Sequence, residues 1–192
     1  ILACLIPSSY LKKQGDLRFK TKKELEKKIP DFQDLLWAKI DEIYSDLVCT
    51  APDNIHHCHT MIHSNAKNID TVSCDKIGCI ITSPPYLNGT NYIRNTKLEL
   101  WFLGLLCTES DLRMYRDQIL TSGINDVKVS NFVDVDIEAK SSLLCNTMVA
   151  LKETAYDVRI PQMTRCYFSE MYQIFKGVQS KLEHNAKLLI DI

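Results

Sequence analysis

The sequence predicts an α/β fold in which helices flank a mostly parallel sheet. Two apolar segments have the composition of buried strands, IGCIIT at 77–82 and KLLIDI at 187–192. A strand without a polar face is typical of a parallel sheet that is covered on both sides. Segments with helical periodicity precede and separate these strands, and the alternation of strands with helices indicates the α/β class.

The other elements follow from periodicity and turn signals. Apolar residues recur at helical spacing in five segments, 30–47, 96–106, 111–120, 135–154 and 165–182. We expect a short strand over 58–63 and a loop with one helical turn over 65–75. Glu183, His184 and Asn185 predict a turn that leads into the last strand. We expect two parts, an N-terminal helical segment 1–54 and a second part 55–192 that contains the predicted strands.

Composition excludes some functions. The 192 residues carry a net charge of −1, whereas proteins that coat duplex DNA are usually more basic. A lysine-rich stretch over 12–28 is interpreted first as solvated surface, with a local DNA-facing patch as the alternative. No apolar run approaches the roughly 20 residues of a membrane span.

The cysteines and histidines predict neither disulfides nor a metal site. The 8 cysteines are scattered without a CxxC pair, and Cys79 and Cys107 lie in apolar runs. This pattern indicates buried free thiols in a reducing, cytoplasmic setting. The cluster His56, His57, Cys58 and His59, with His63 nearby, lacks the spacing of a zinc site, so no metal is expected.

The sequence TSPPY at 82–86 follows the first predicted strand. In an open α/β sheet, ligands bind beyond the carboxyl ends of the strands. Two prolines fix the backbone and remove two N–H donors, so the carbonyls of Ser83 and Pro84 are free to accept hydrogen bonds. The Ser83 hydroxyl is a further acceptor, and Tyr86 adds an aromatic face. The loop therefore suits a planar group that carries an NH2.

This loop resembles the catalytic motif of amino-group DNA methyltransferases, which reads (Asp/Asn/Ser)-Pro-Pro-(Tyr/Phe). The resemblance continues through TSPPYLNGTNYIRNTKLELWFLG, and it covers about residues 55–192. It implies a partial Rossmann-like sheet, S-adenosyl-L-methionine as cofactor, and a DNA base flipped out of the duplex. A cognate restriction endonuclease is a further partner that the family implies.

The resemblance assigns catalytic roles to Ser83, Pro84, Pro85 and Tyr86. Tyr86 would stack on the base, while the Ser83 side chain and the Pro84 carbonyl would accept hydrogen bonds from its amino group. Transfer would then be direct, by positioning and electrostatics. Ser at the first position favours cytosine N4 over adenine N6.

Further contacts are assigned on both sides of this loop. Residues 62–66 (IHSNA) align with the family's Gly-Asp-Ala loop, so that Ser64 and Asn65, together with Thr82, are the predicted cofactor contacts. Asn65 replaces the charged Asp of that loop. Asn91, Tyr92 and Arg94 are predicted to bind the base or the DNA backbone, with a structural role in the turn as an equal alternative.

The glycine-rich cofactor loop of the family has no counterpart among the 6 glycines, since no two stand at GxG spacing. We therefore expect a fragment that acts with an upstream or separate cofactor-binding segment. Methylation of RNA or of a protein glutamine is disfavoured by Ser83. A non-catalytic remnant or DNA-recognition subunit without turnover is the alternative function.

Overall fold

A computed structural model of the chain describes residues 1–14, 16–50, 59–87, 92–127 and 136–191. The chain forms two compact units, unit 1 (Ile1–Met61 with Arg94–Leu106) and unit 2 (Ile62–Ile93 with Cys107–Ile192). Both helices and strands are present, which agrees with the predicted α/β class. The predicted boundary between residues 54 and 55 lies outside the described residues.

The helices and strands within the described residues are α1 (Leu2–Leu5), β1 (Leu11–Gln14), β2 (Asp16–Phe19), α2 (Lys22–Leu25), α3 (Phe32–Thr50), β3 (Ile77–Thr82), α4 (Tyr92–Phe102), α5 (Glu109–Gln118), α6 (Ser142–Thr154), α7 (Arg159–Gln179) and β4 (Leu182–Ile190). Three short 3₁₀ helices lie between them, Ala66–Thr71, Ile124–Asp126 and Glu138–Lys140. None of the described helices is both long enough and apolar enough to cross a membrane.

In unit 1, the antiparallel hairpin β1–β2 is joined to α2 by the carboxylate of Glu24. This carboxylate accepts hydrogen bonds from Lys12 Nζ at 2.5 Å and from Arg18 Nη1 at 2.8 Å. It also accepts from the backbone N–H of Thr21 at 2.9 Å, which completes a capping box at the start of α2. Several cations of the lysine-rich stretch are thus paired within the unit.

Helix α3 begins where the sequence predicts and continues to Thr50. The Asp31 carboxylate accepts hydrogen bonds from the backbone N–H groups of Gln33 at 2.8 Å and Asp34 at 3.3 Å, and this caps the helix. The β3 strand predicted over 77–82 is also confirmed, and it pairs in parallel with β4.

The predicted turn at Glu183, His184 and Asn185 is wrong, because these residues lie within β4. The register passes from the pair Ile77–Leu182 to the pair Cys79–Lys187, so the strand is irregular between them. Asn185 has a φ of 65°, a left-handed conformation that Asn tolerates better than most residues. The polar signal therefore marks a bulge in the strand and not its beginning.

Burial of β3 also differs from the prediction of a strand covered on both faces. Ile77 and Ile80 are half-buried, while Ile81 is 80% exposed, although all three contribute to an apolar cavity that residues of α7 also line. The described residues supply only two strands to this sheet. Cys79 and Cys107, predicted to be buried thiols, are exposed, whereas Cys4 and Cys166 are buried.

Other element boundaries shift for local reasons. The predicted strand 58–63 is wrong over 59–63, where the chain has no regular structure, and residue 58 lies outside the described residues. The predicted helical turn within 65–75 is confirmed as the 3₁₀ helix Ala66–Thr71. Helix α6 begins only at Ser142, because the Ser141 hydroxyl caps it by accepting a hydrogen bond from Leu144 N at 3.3 Å.

The core of unit 2 is built on α7, which starts at Arg159 and not at residue 165 as predicted. A cluster of Ile137, Leu144 and Met148 packs beside it, with Tyr172 of α7 against the cluster. Gly177 allows α7 to approach the 3₁₀ helix Ala66–Thr71 closely, since a Cβ there would lie 2.7 Å from Ile69 Cγ2. This packing fixes the residues that precede β3, the strand that leads into the predicted catalytic loop.

Candidate active site

The SPPY loop leaves the carboxyl end of β3, as the sequence predicts. Its start is anchored by the Thr82 carbonyl, which accepts a hydrogen bond from Asp191 N at 3.1 Å just beyond β4. Ser83 is exposed, Pro84 and Pro85 are half-buried, and Tyr86 is 44% exposed. None of the residues that the structure describes donates a hydrogen bond to the Ser83 hydroxyl or to the Pro84 carbonyl. Within the described residues, both acceptors are therefore open to a ligand.

A cavity of about 520 Å³ opens beside Pro85 in unit 2. Its lining consists of His63, Ser64, Asn65, Ala66, Lys67, Pro85, Tyr92, Tyr115, Gln118, Ile119, Leu120, Ser122 and Ile174. We call it the Asn65 cavity. It brings two predicted cofactor contacts, Ser64 and Asn65, together with Pro85 of the predicted catalytic loop and Tyr92 of the predicted substrate contacts. Its volume lies within the range of small-molecule sites, roughly 300–1,000 Å³.

The Asn65 side chain is engaged within the wall of this cavity. Its Oδ1 accepts a hydrogen bond from Lys67 N at 3.0 Å, which caps the 3₁₀ helix Ala66–Thr71, and its Nδ2 donates to the Gln118 carbonyl at 3.0 Å. An amide has two donor hydrogens and two acceptor lone pairs. One donor and one acceptor of Asn65 therefore remain for a ligand, without the negative charge that an Asp would bring.

An ion pair between Lys67 and Glu170 supports the same wall of the cavity. The carboxylate of Glu170 on α7 is 3% exposed and accepts hydrogen bonds from Lys67 Nζ at 2.8 Å and from Thr121 N at 2.7 Å. Lys67 Nζ also donates to the Ile119 carbonyl at 2.8 Å. These bonds connect residues 65–67 to residues 118–121, and both segments contribute to the lining of the cavity.

Sequence reasoning missed the contribution of α5 and the segment after it. Tyr115, Gln118 and Ser122 line the cavity, and they add an aromatic ring, an amide and a hydroxyl. The helical periodicity of 111–120 predicts the helix but gives no indication of which side chains face a ligand. The sole available signal was that Asp111, Leu112 and Arg113 lie inside the segment that resembles the methyltransferase family.

A second cavity includes Pro84, the neighbouring proline of the loop. It has a volume of about 540 Å³ and is lined by Pro84, Ile190 and residues of α6 and α7 that include Tyr167 and Phe168. The rings of Tyr167 and Phe168 meet edge to face, with centroids 5.3 Å apart. Burial raises the pKa of the Tyr167 hydroxyl, and the nearby Tyr92 raises it further. The Tyr167 hydroxyl is therefore neutral at physiological pH.

The other predicted site residues that the structure describes do not line the Asn65 cavity. Thr82 and Ser83 line an apolar cavity of about 500 Å³ between β3, β4 and α7, together with both prolines. Tyr86 belongs to the lining of none of these three cavities. Asn91 lies outside the described residues, as does the side chain of Arg94, whose backbone belongs to unit 1.

No set of three or more His, Cys, Asp or Glu side chains within the described parts of the chain is arranged to hold a metal ion. Of the histidine cluster, residues 56–58 lie outside those parts, and His59 and His63 are exposed. The polar groups that line the Asn65 cavity are instead amide, hydroxyl, imidazole and ammonium groups, beside the rings of Tyr92 and Tyr115. Such groups suit a small organic ligand that carries hydrogen-bonding edges.

The chain is similar to two curated proteins named type II methyltransferase M.AvaI, one from Nostoc sp. (strain PCC 7120 / SAG 25.82 / UTEX 2576) and one from Anabaena variabilis. Each is 29% identical to it over 198 residues, which is 88% of this chain and 40% of the relative. The chain thus spans about 40% of the length of the curated relatives it matches. No family model matches the chain. No solved structure matches it. Similarity to these two relatives supports the prediction of a methyltransferase.

Proposed function

We propose that this chain is the base-binding part of a DNA methyltransferase that transfers a methyl group from S-adenosyl-L-methionine to an exocyclic amino group of a flipped base. The observation that carries the proposal is the position of TSPPY at the carboxyl end of β3, where Pro85 shares the Asn65 cavity with Ser64, Asn65 and Tyr92. The similarity to type II methyltransferases supports it. A partial Rossmann-like sheet, a cytoplasmic setting and a cognate restriction endonuclease are parts of the same proposal.

The Asn65 cavity is the proposed cofactor side of the site. The available donor and acceptor of Asn65, with the Ser64 hydroxyl, would hydrogen-bond the adenine edge, and Tyr115 offers an aromatic wall. When bound, the cofactor supplies the methyl group. The exposed side of the loop is the proposed base side.

On the base side, the Ser83 hydroxyl and the Pro84 carbonyl accept hydrogen bonds from the amino group of the base. These bonds orient the nitrogen lone pair, and Tyr86, which is 44% exposed, stacks on the ring. A rigid Pro-Pro backbone suits this task, because acceptors that do not reorganise stabilise a developing charge better than mobile ones. Ser83 in the first position of the motif favours cytosine N4 over adenine N6.

The test is methyl transfer by the protein expressed from the complete reading frame that contains these 192 residues. We expect label from methyl-labelled S-adenosylmethionine to appear in duplex DNA, and mass spectrometry of the nucleosides to identify N4-methylcytosine. Tyr86→Ala should lower the transfer rate by up to about 100-fold, since one aromatic stack contributes on the order of 1–3 kcal/mol.

Tyr86→Phe is the matched control, because it keeps the ring and removes only the hydroxyl. It should retain most of the activity that Tyr86→Ala loses. Full activity of Tyr86→Ala would remove Tyr86 from the site. N6-methyladenine among the products would overturn the choice of cytosine while leaving the amino-methyltransferase proposal intact.

A second candidate function is a methyltransferase remnant or DNA-recognition subunit without turnover. The specific observation in its favour is that none of the 6 glycines forms a GxG pair for a cofactor loop. Titration calorimetry distinguishes the two candidates. A protein from the complete reading frame that binds DNA but neither binds S-adenosylmethionine nor transfers methyl is the result that this second candidate predicts.

A further inference from the structure

We propose that Glu170 is a positioning residue that holds the two walls of the Asn65 cavity at a fixed separation. The part of this inference that concerns the ligand rests on the proposed function, whereas the part that concerns the walls rests on geometry alone. Glu170 does not line the cavity and has no place in the motif that predicts the active site.

The two walls come from separate parts of the chain. One is the segment 63–67 that leads into the 3₁₀ helix Ala66–Thr71, and the other is the segment 118–122 after α5. Neither segment belongs to a strand or to a helix longer than six residues, apart from Gln118 at the end of α5. No regular hydrogen-bond ladder joins them, so their separation depends on side-chain bonds together with the packing of Ala66–Thr71 against α7.

Glu170, on α7, accepts these bonds through both of its carboxylate oxygens. One oxygen accepts from Lys67 Nζ at 2.8 Å and from Thr121 Oγ1 at 3.3 Å, and the other accepts from Thr121 N at 2.7 Å. Lys67 completes the link by donating to the Ile119 carbonyl at 2.8 Å. One carboxylate thus joins both walls to α7, the most deeply buried helix of unit 2.

Burial makes this link stiffer than a surface ion pair. The side chain of Glu170 is 3% exposed and that of Lys67 is 26% exposed, and Thr121 is 2% exposed. An exposed pair rearranges at little cost, while a buried charge must keep its partners because solvent cannot replace them. Asn65 adds a parallel link through its bond to the Gln118 carbonyl at 3.0 Å.

Hydrogen–deuterium exchange of the 192-residue chain tests the wall-holding role without any ligand. In Glu170→Gln, the charge of Lys67 loses its counter-ion while one acceptor for Thr121 remains. We expect amides in peptides covering 62–71 and 118–124 to exchange about tenfold faster or more, with α6 unchanged. Unchanged exchange in both wall segments would overturn the proposal.

Glu138→Gln is the matched control. Glu138 pairs with Arg165 of the same helix α7, at a distance of 2.9 Å from Arg165 Nε, and neither residue lines the Asn65 cavity. This variant should leave exchange of 62–71 and 118–124 unchanged. If Glu170→Gln fails to fold, the double variant Lys67→Gln/Glu170→Gln removes both charges, so that no uncompensated buried charge remains.

The ligand part is tested in the protein from the complete reading frame. Glu170→Gln should raise the KM for S-adenosylmethionine by about 10- to 100-fold and change kcat far less, because the walls would be displaced while the SPPY loop would not. Faster exchange with an unchanged KM would reduce Glu170 to a stabilising role and overturn the ligand part. If the wild type neither binds S-adenosylmethionine nor transfers methyl, the proposed function fails, and exchange still decides whether Glu170 holds the walls.

Discussion

Helices α3 and α7 are of similar length and both carry apolar residues at helical spacing, yet their surroundings differ completely. Helix α3 has 19 residues and α7 has 21. Nine residues of α7 are buried, including Met163 and Glu170. None of residues 32–49 in α3 is buried, and Trp37 and Leu47 are more than 60% exposed.

The difference teaches that periodicity identifies an apolar face but not whether anything covers it. In unit 2, α7 packs against α6 and the 3₁₀ helix Ala66–Thr71. In unit 1, the four-residue α1 is the main element in contact with α3. Stability from a helix comes mainly from packing of its apolar face. We therefore expect α7 to carry far more of the folding free energy than α3.

The largest effect expected from this comparison follows Met163→Ala. Met163 is 1% exposed on α7, and truncation there leaves a cavity that should lower the free energy of unfolding by about 2–5 kcal/mol. Leu47→Ala on α3 is the matched change, with a side chain that is 63% exposed. It should cost less than about 1 kcal/mol.

Urea unfolding followed by far-UV circular dichroism measures both variants. Both tryptophans, Trp37 and Trp101, belong to unit 1, so fluorescence reports on that unit separately. A cost for Leu47→Ala as large as that for Met163→Ala would mean that α3 is covered in solution. The contrast between the two helices would then be wrong.

Sequence reasoning succeeded where one local signal was enough. Strand β3, the capped start of α3 and the loop after β3 could all be predicted, because each depends on neighbouring residues. It failed where the outcome depends on distant partners. Ile81 looks like a core residue in the sequence and is 80% exposed, and Asn185 looks like a turn and lies in a bulge of β4.

The residues of the candidate site fall into the same two groups, those predictable from a local signal and those that depend on distant partners. The SPPY loop and the segment with Ser64 and Asn65 were predictable from a motif. Tyr115, Gln118 and Glu170 were not, because they reach the site only through the tertiary packing of α5 and α7. Lys67 and Glu170 are 103 positions apart in the sequence. Local periodicity cannot predict a pair so far apart.

Alanine at two glycines should have a smaller effect, for a different reason in each unit. Gly177 in α7 faces Ile69, whose Cγ2 would lie 2.7 Å from the new Cβ. Overpacking of roughly 1–3 kcal/mol is partly offset by a gain in helix propensity of about 1 kcal/mol. Gly104 in unit 1 has open space around it but a φ of 69°, so alanine there should cost about 1–2 kcal/mol in backbone strain.

Asparagine separates these two causes, because it tolerates a left-handed backbone but is larger than alanine. Gly104→Asn should recover most of the stability lost in Gly104→Ala, whereas Gly177→Asn should be worse than Gly177→Ala. Ile69→Ala combined with Gly177→Ala should relieve the clash. Thermal unfolding monitored by circular dichroism measures all five variants, and equal losses for both asparagine variants would contradict the distinction.

The smallest effect concerns acid, and it compares one carboxylate from each unit. The Arg159 side chain and its backbone N–H donate to Asp157 in unit 2 and lower the pKa of that carboxyl from 3.8 to about 2. Arg18 and Lys12 hold the pKa of Glu24 in unit 1 well below its usual range. Both folded-state values are depressed, so each stabilising contribution is complete above the unfolded pKa and is lost as the pH falls.

We therefore expect a modest loss of stability below about pH 4.5, starting with Glu24 and followed by Asp157 below about pH 4. Carboxyl NMR titration should place the midpoint of Asp157 near pH 2. Asp157→Asn should reduce the loss of stability at low pH in unit 2 alone. Glu24→Gln should do the same for unit 1, as read by tryptophan fluorescence. An Asp157 midpoint near 3.8 would mean that Arg159 is not held beside it in solution. Because both side chains are still partly exposed, 27% for Glu24 and 20% for Asp157, 0.5 M salt should weaken both effects. A loss of stability at low pH that does not depend on salt would point instead to a fully buried group.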